Sequence, residues 1–107
     1  MSQYVLLIKL TPEGARAHTE GLTAAVEDMR TAMGALGGDM TVLMTLGEYD
    51  LIATGQAPSD EHLAWFVSQL ASTGNVRVTT MKAFAPDEWR QAETIVPPDI
   101  VPPMAFK

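Results

Sequence analysis

The stretch Gly47-Glu48-Tyr49-Asp50 separates two runs rich in apolar residues, Met40 to Leu46 and Leu51 to Thr54. It reads as a tight hairpin turn. Gly47 can take a positive φ without a Cβ clash, Glu48 can sit exposed at the tip, and Tyr49 restarts an extended run that returns antiparallel to the first. Working outward, Met40/Val42/Met44/Leu46 alternates with Thr41/Leu43/Thr45, the period expected of a strand.

Before this hairpin, Gln3 to Leu10 is a strand whose two faces, Tyr4/Leu6/Ile8/Leu10 and Val5/Leu7/Lys9, are both largely apolar. A sheet with one wet face would not need that, so something is expected to cover the second face. Thr11-Pro12-Glu13 then opens a helix, with Thr11 as N-cap and Pro12 at the first helical position. Gly14 and Gly21 weaken its start. The regular apolar pattern runs from Leu22 through Val26, Met29 and Met33 to Leu36, and Gly37 or Gly38 ends it.

After the hairpin, Ser59 or Asp60 caps a second helix whose Leu63, Phe66, Val67, Leu70 and Ala71 share one face, and Gly74 closes it. At about 100° per residue Trp65 falls on the opposite, polar face and is expected to be exposed. Asn75 to Phe84 forms the last strand, Pro86 to Ala92 a short helical turn. The expected domain is 1-93. Residues 94-107, with Ile95-Val96-Pro97-Pro98 repeated as Ile100-Val101-Pro102-Pro103, are expected to form an extended arm that packs near Trp65 or along a sheet edge. The resulting order βαββαβ predicts an α+β, ferredoxin-like fold, a four-stranded antiparallel sheet with two helices on one face. Two such sheets, face to face, would cover the second side of the first strand.

Composition narrows the function. The 107 residues make one domain, 47% of them hydrophobic, and no apolar run approaches the roughly 20 residues of a membrane span. A start of Met1-Ser2-Gln3 without a basic segment points to a cytoplasmic address, and zero cysteines remove disulfide and thiolate chemistry. A net charge of −6 with scattered Lys and Arg argues against nucleic acid.

Gly47-Glu48-Tyr49-Asp50, together with Leu51-Ile52-Ala53, Ala57-Pro58, Gly74-Asn75-Val76-Arg77, Thr79-Thr80 and Ala83-Phe84, resembles the GYD domain family. The likeness extends forward through Tyr4, Leu10-Thr11, Glu13-Gly14 and Leu36-Gly37-Gly38, and leaves the C-terminal tail outside. The resemblance implies a small bacterial protein of ferredoxin-like fold that dimerises through its sheet as a dimeric α+β barrel, and it implies no particular activity. A second likeness is to the effector-binding domains of leucine-responsive-type regulators, which also carry a Gly-x-Tyr/Phe-Asp hairpin and paired threonines in the last strand. It implies a small molecule bound between subunits.

The candidate ligand-binding residues are Lys9, Gly47, Tyr49, Asp50, Arg77, Thr79 and Thr80. Lys9 interrupts an apolar strand, and Arg77 and Thr79 share a face of the last strand; the plainer account of both cations is that they snorkel to the sheet rim or pair across a dimer. Asp50 could act as a base beside Tyr49, or accept backbone N–H bonds and fix the loop. His18 and His62 lack metal-ligand spacing, and methionines 29, 33, 40 and 44 fall at core positions, so no metal and no cofactor is expected. Two classes remain: an oligomeric module binding a small organic molecule between sheets or subunits, and a cofactor-independent enzyme of the dimeric α+β barrel kind.

Overall fold

The computed structural model describes residues 1–95. β1 (Ser2–Leu10) is followed by α1 (Pro12–Ala17), α2 (Thr23–Ala35), β2 (Asp39–Met44), β3 (Leu51–Ala57), α3 (Asp60–Ser72), β4 (Val76–Ala83) and α4 (Pro86–Ile95). The strands form one antiparallel sheet in the order β2-β3-β1-β4. That order and the succession of elements are the ferredoxin-like α+β arrangement expected from the hydrophobic pattern. Of the extended arm expected over 94–107, Thr94 and Ile95 belong to α4, and the remainder lies outside the described residues.

The two-residue side-chain period of β1 sets the layers. Tyr4, Leu6 and Ile8 are buried against α2 and α3, joined by Met40, Leu51, Ala53 and Ala57 from the sheet and Val26, Met33, Leu63 and Phe66 from the helices. Val5 and Leu7 point to the other side, where among the described residues no helix lies over them, and both remain half-buried.

Tyr4 explains a glycine in the middle of a strand. Its Cα partner across β3 is Gly55, and its hydroxyl donates to the Asp39 carbonyl at 2.6 Å. A Cβ on Gly55 would meet that hydroxyl oxygen at 2.8 Å and the Asp39 carbonyl at 2.2 Å. Burial, with the Asp39 charge adding to it, pushes the Tyr4 phenol well above its usual value, so it stays a hydrogen-bond donor.

The first helical stretch is two helices. Thr11 caps α1, accepting from the Gly14 N–H at 3.1 Å, as its sequence predicts. Gly14 has a tertiary reason beyond the local one: the Thr11 N–H and hydroxyl bond to the carbonyls of Asn75 and Gly74, at 3.0 and 2.7 Å, and draw α1 onto the turn after α3. A Cβ at position 14 would stand 1.9 Å from the Asn75 oxygen. At the other end of α2, Gly37 (φ +94) and Gly38 return N–H bonds to Gly34 and Met33, satisfying the last carbonyls.

The hairpin is wider than the expected tight turn. β2 ends at Met44 and β3 begins at Leu51, and Leu46 is fully exposed rather than part of the strand. The reason lies at Asp50, whose side chain is turned to β1: its Oδ2 accepts the Leu10 N–H at 2.8 Å while its own N–H donates to the Ile8 carbonyl at 2.9 Å. The Thr45 N–H and hydroxyl then bond to the carbonyls of Asp50 and Tyr49, tying the connection into a knot. β3 also runs on to Ala57, three residues past Thr54. α4 reaches Ile95, the last described residue, instead of Ala92.

Asp50→Ala strands the Leu10 N–H at the end of the central strand and should cost about 1–3 kcal/mol, whereas Asp50→Asn keeps an oxygen acceptor and should cost less. Urea midpoints at constant slope measure both, and equal losses would show that the acceptor is not what matters. At the opposite end of the sheet, the Ser2 hydroxyl and Lys82 hold the Asp60 carboxyl below its usual range. A depressed folded-state value stabilises the fold above the unfolded carboxylate range and is lost as pH falls through the folded value. Stability should therefore drop below about pH 4, with a shallower drop in Ser2→Ala, as read by denaturation at a series of pH values.

Candidate functional site

Two surfaces could hold a molecule, one on each side of the sheet. The first is the open face. The register places Leu43, Ile52, Leu7 and Thr79 in one row across all four strands, and Thr41, Thr54, Val5 and Met81 in the next. On the edge strands Leu43 is 63% exposed and Met81 41%, and with the half-buried Val5, Leu7 and Ile52 between them they make an apolar patch into which Thr41, Thr54 and Thr79 are set.

At the end of the patch Lys9 and Arg77 are direct cross-strand partners, and both are exposed. Like charges placed opposite one another on a sheet are destabilising. Among the described residues the ion pairs are Arg16–Glu13, Arg30–Glu27 and Lys82–Asp60, so neither of these two cations has an acidic partner. Thr79 lies one row further in on the same face as Arg77, as the spacing of the last strand predicts, and the register sets Lys9 beside them.

The remaining candidates separate from that group. Thr80 is the partner of Leu6 and so belongs to the helix side, where it cannot share a chamber with Thr79. Asp50 is engaged by the Leu10 N–H, the structural of its two sequence readings. Tyr49 contributes its carbonyl to the loop knot, and Gly47, at φ +140, serves the turn. His62 belongs to the start of α3, its Nδ1 2.6 Å from the capping Ser59 hydroxyl. No group of three or more His, Cys, Asp or Glu able to hold a metal occurs among the described residues, nor is any of their helices long and apolar enough to cross a membrane.

The second surface lies on the helix side and was not legible in the sequence. Trp65 is 53% exposed, as periodicity predicts, but its indole borders a groove of about 270 Å³ between α2 and α3, lined also by Met29, Ala32, Phe66 and Leu70. Asp28, Met29, Leu70 and Thr73 continue into a hollow of about 230 Å³, floored by the strand ends Leu10, Leu51 and Val76 and walled by Leu22 and Ala25. His18 and Asn75 complete its rim. A roomier hollow of about 620 Å³ is bounded by residues 17–21, 23 and 24 alone, the crook of the link between α1 and α2, so no other element converges on it.

Against known proteins, the model of the GYD domain matches residues 4–92, which is most of the chain and the whole of the sheet but for two residues at its start. No curated protein and no solved structure matches the chain. With the match covering every strand, the Gly47–Asp50 loop and both core helices, the chain belongs to the GYD domain family.

Proposed function

We propose that the protein is a homo-oligomeric binding module in which the open sheet faces of two copies pack against each other and enclose a small organic molecule. The observation that carries this reading is the open face itself. Val5, Leu7, Leu43, Ile52 and Met81 make a continuous apolar patch beside two cations with no acidic partner among the described residues. A second copy buries the patch, and an acidic group of the ligand or of the facing copy relieves the Lys9–Arg77 repulsion. The resemblance of the Gly47–Asp50 hairpin to that of effector-binding domains, as read from the sequence, is in line with a ligand between subunits.

Binding is favoured over catalysis because Asp50, one residue before the β1–β3 register begins, already accepts a backbone bond. A general base must be available to a substrate proton. The cofactor-independent enzyme reading would require another base on the open face; the carboxylate there is Asp39, in the row of Gln56 and Gln3, and its Oδ1 accepts the Gln56 N–H at 3.1 Å.

Sedimentation velocity at micromolar concentration should show a dimer or larger species, burying at least the roughly 1,200 Å² of a specific interface. Leu7→Asp combined with Ile52→Asp should give a monomer with an unchanged far-UV spectrum, because both side chains point away from the core. A monomeric wild-type protein would overturn the assembly, and native mass spectrometry of the purified oligomer, finding no bound small molecule, would overturn the ligand.

A further inference from the structure

We propose that the hollow at the helix-side end of the sheet is a binding site for small apolar amines. It is distinct from the open face and does not depend on oligomerisation. Its shape follows from the chain. The break between α1 and α2 lets the link swing out at His18, and Ala25 presents only a methyl group to the space above Leu10, Leu51 and Val76. The hollow shares Asp28, Met29, Leu70 and Thr73 with the Trp65 groove, and the two spaces, about 230 and 270 Å³, together exceed the roughly 300 Å³ at which ligand pockets begin.

The polar rim selects the head group. The Thr73 hydroxyl donates to the Leu70 carbonyl and accepts the Asn75 N–H, so it is already used. The His18 ring, the Asp28 carboxylate and the Asn75 side-chain amide have no hydrogen-bond partner among the described residues. Asp28 is also without a cation, since the nearest Arg in sequence, Arg30, pairs with Glu27 at 3.2 Å. A carboxylate at the mouth of an apolar hollow, in a chain of net charge −6, attracts an ammonium group and repels a carboxylate. The ammonium would sit against Asp28, with the Asn75 oxygen and a His18 ring nitrogen as further acceptors. The hydrocarbon or aromatic body would cover the floor and extend toward Trp65.

Met29 lines both spaces and reports on occupancy. In protein carrying ¹³C-methyl methionine, with the Met29 signal assigned from a Met29→Leu variant, benzylamine should shift that resonance saturably at roughly millimolar concentration. Benzoate should not. Asp28→Asn, a surface change, should weaken benzylamine binding about tenfold or more, and Ala25→Leu, which fills the hollow, should abolish it. No saturable shift in the wild-type protein, equal binding of benzoate, or unaltered affinity in Asp28→Asn would each overturn the proposal. Because sedimentation measures the open face and Met29 the helix side, failure here leaves the oligomeric binding module standing.

Discussion

The fold depends on how the central strand ends. β1 is hydrogen-bonded on both sides, and at Leu10 its N–H faces β3 at a point where β3 has not yet begun. An amide left there without an acceptor would weaken the strand that every other element packs on. Asp50 supplies the acceptor from its side chain and a donor from its backbone, so one residue extends the β1–β3 ladder beyond its last regular pair, Ile8 with Leu51. With the side-chain period fixed at two, a slip of one residue would exchange Tyr4, Leu6 and Ile8 for Val5, Leu7 and Lys9 at the core. Since both sets are largely apolar, hydrophobicity alone discriminates the register less firmly here than in an ordinary two-layer sheet. The Asp50 clasp and the Tyr4 hydroxyl over Gly55 provide the discrimination, one at each part of the same strand pair.

Ties of the same kind hold both ends of the sheet. At the Leu10 end, Thr11 grips Gly74 and Asn75, which places α1 against the turn into β4. At the Ser2 end, the Ser2 hydroxyl and Lys82 meet on Asp60, joining the first residue of β1, the penultimate residue of β4 and the first residue of α3. Apart from the backbone bond of Thr11 to Asn75 these are side-chain contacts, and all but the Asp60–Lys82 pair join residues about 60 apart in the chain. They leave the centre of the open face and the groove between α2 and α3 with apolar surface that no described element covers.

Much of this was legible in the sequence, for local reasons. The βαββαβ order, the caps at Thr11 and Ser59 and the outward position of Trp65 follow from spacing and propensity within a few residues. What was not legible depends on distant partners. Gly14 reads as a weak point in a helix, whereas the Asn75 oxygen is what excludes a side chain there. The hairpin reads as tight because Gly47 favours turning, whereas Asp50 is drawn off toward Leu10 and widens it. The cation pair was half legible: Lys9 and Arg77 each stood out, but their direct opposition required the β1–β4 register. The hollow gave no signal, because His18, Asp28 and Asn75 come from a link, a helix and a turn with no common spacing.

The two candidate surfaces share the sheet that separates them. The floor residues of the hollow, Leu10, Leu51 and Val76, are chain neighbours of Lys9, Asp50 and Arg77, which lie at the same end of the sheet. Successive residues of a strand point to opposite faces. An occupant that presses the floor therefore acts on the same backbone segments that carry the cation pair and the Asp50 clasp. Close packing makes such segments poor at absorbing a displacement locally. If the open face closes on a second copy, Lys9 and Arg77 sit at the rim of that contact. The floor of the helix-side hollow then lies one residue along each strand from that rim, on the opposite face of the sheet.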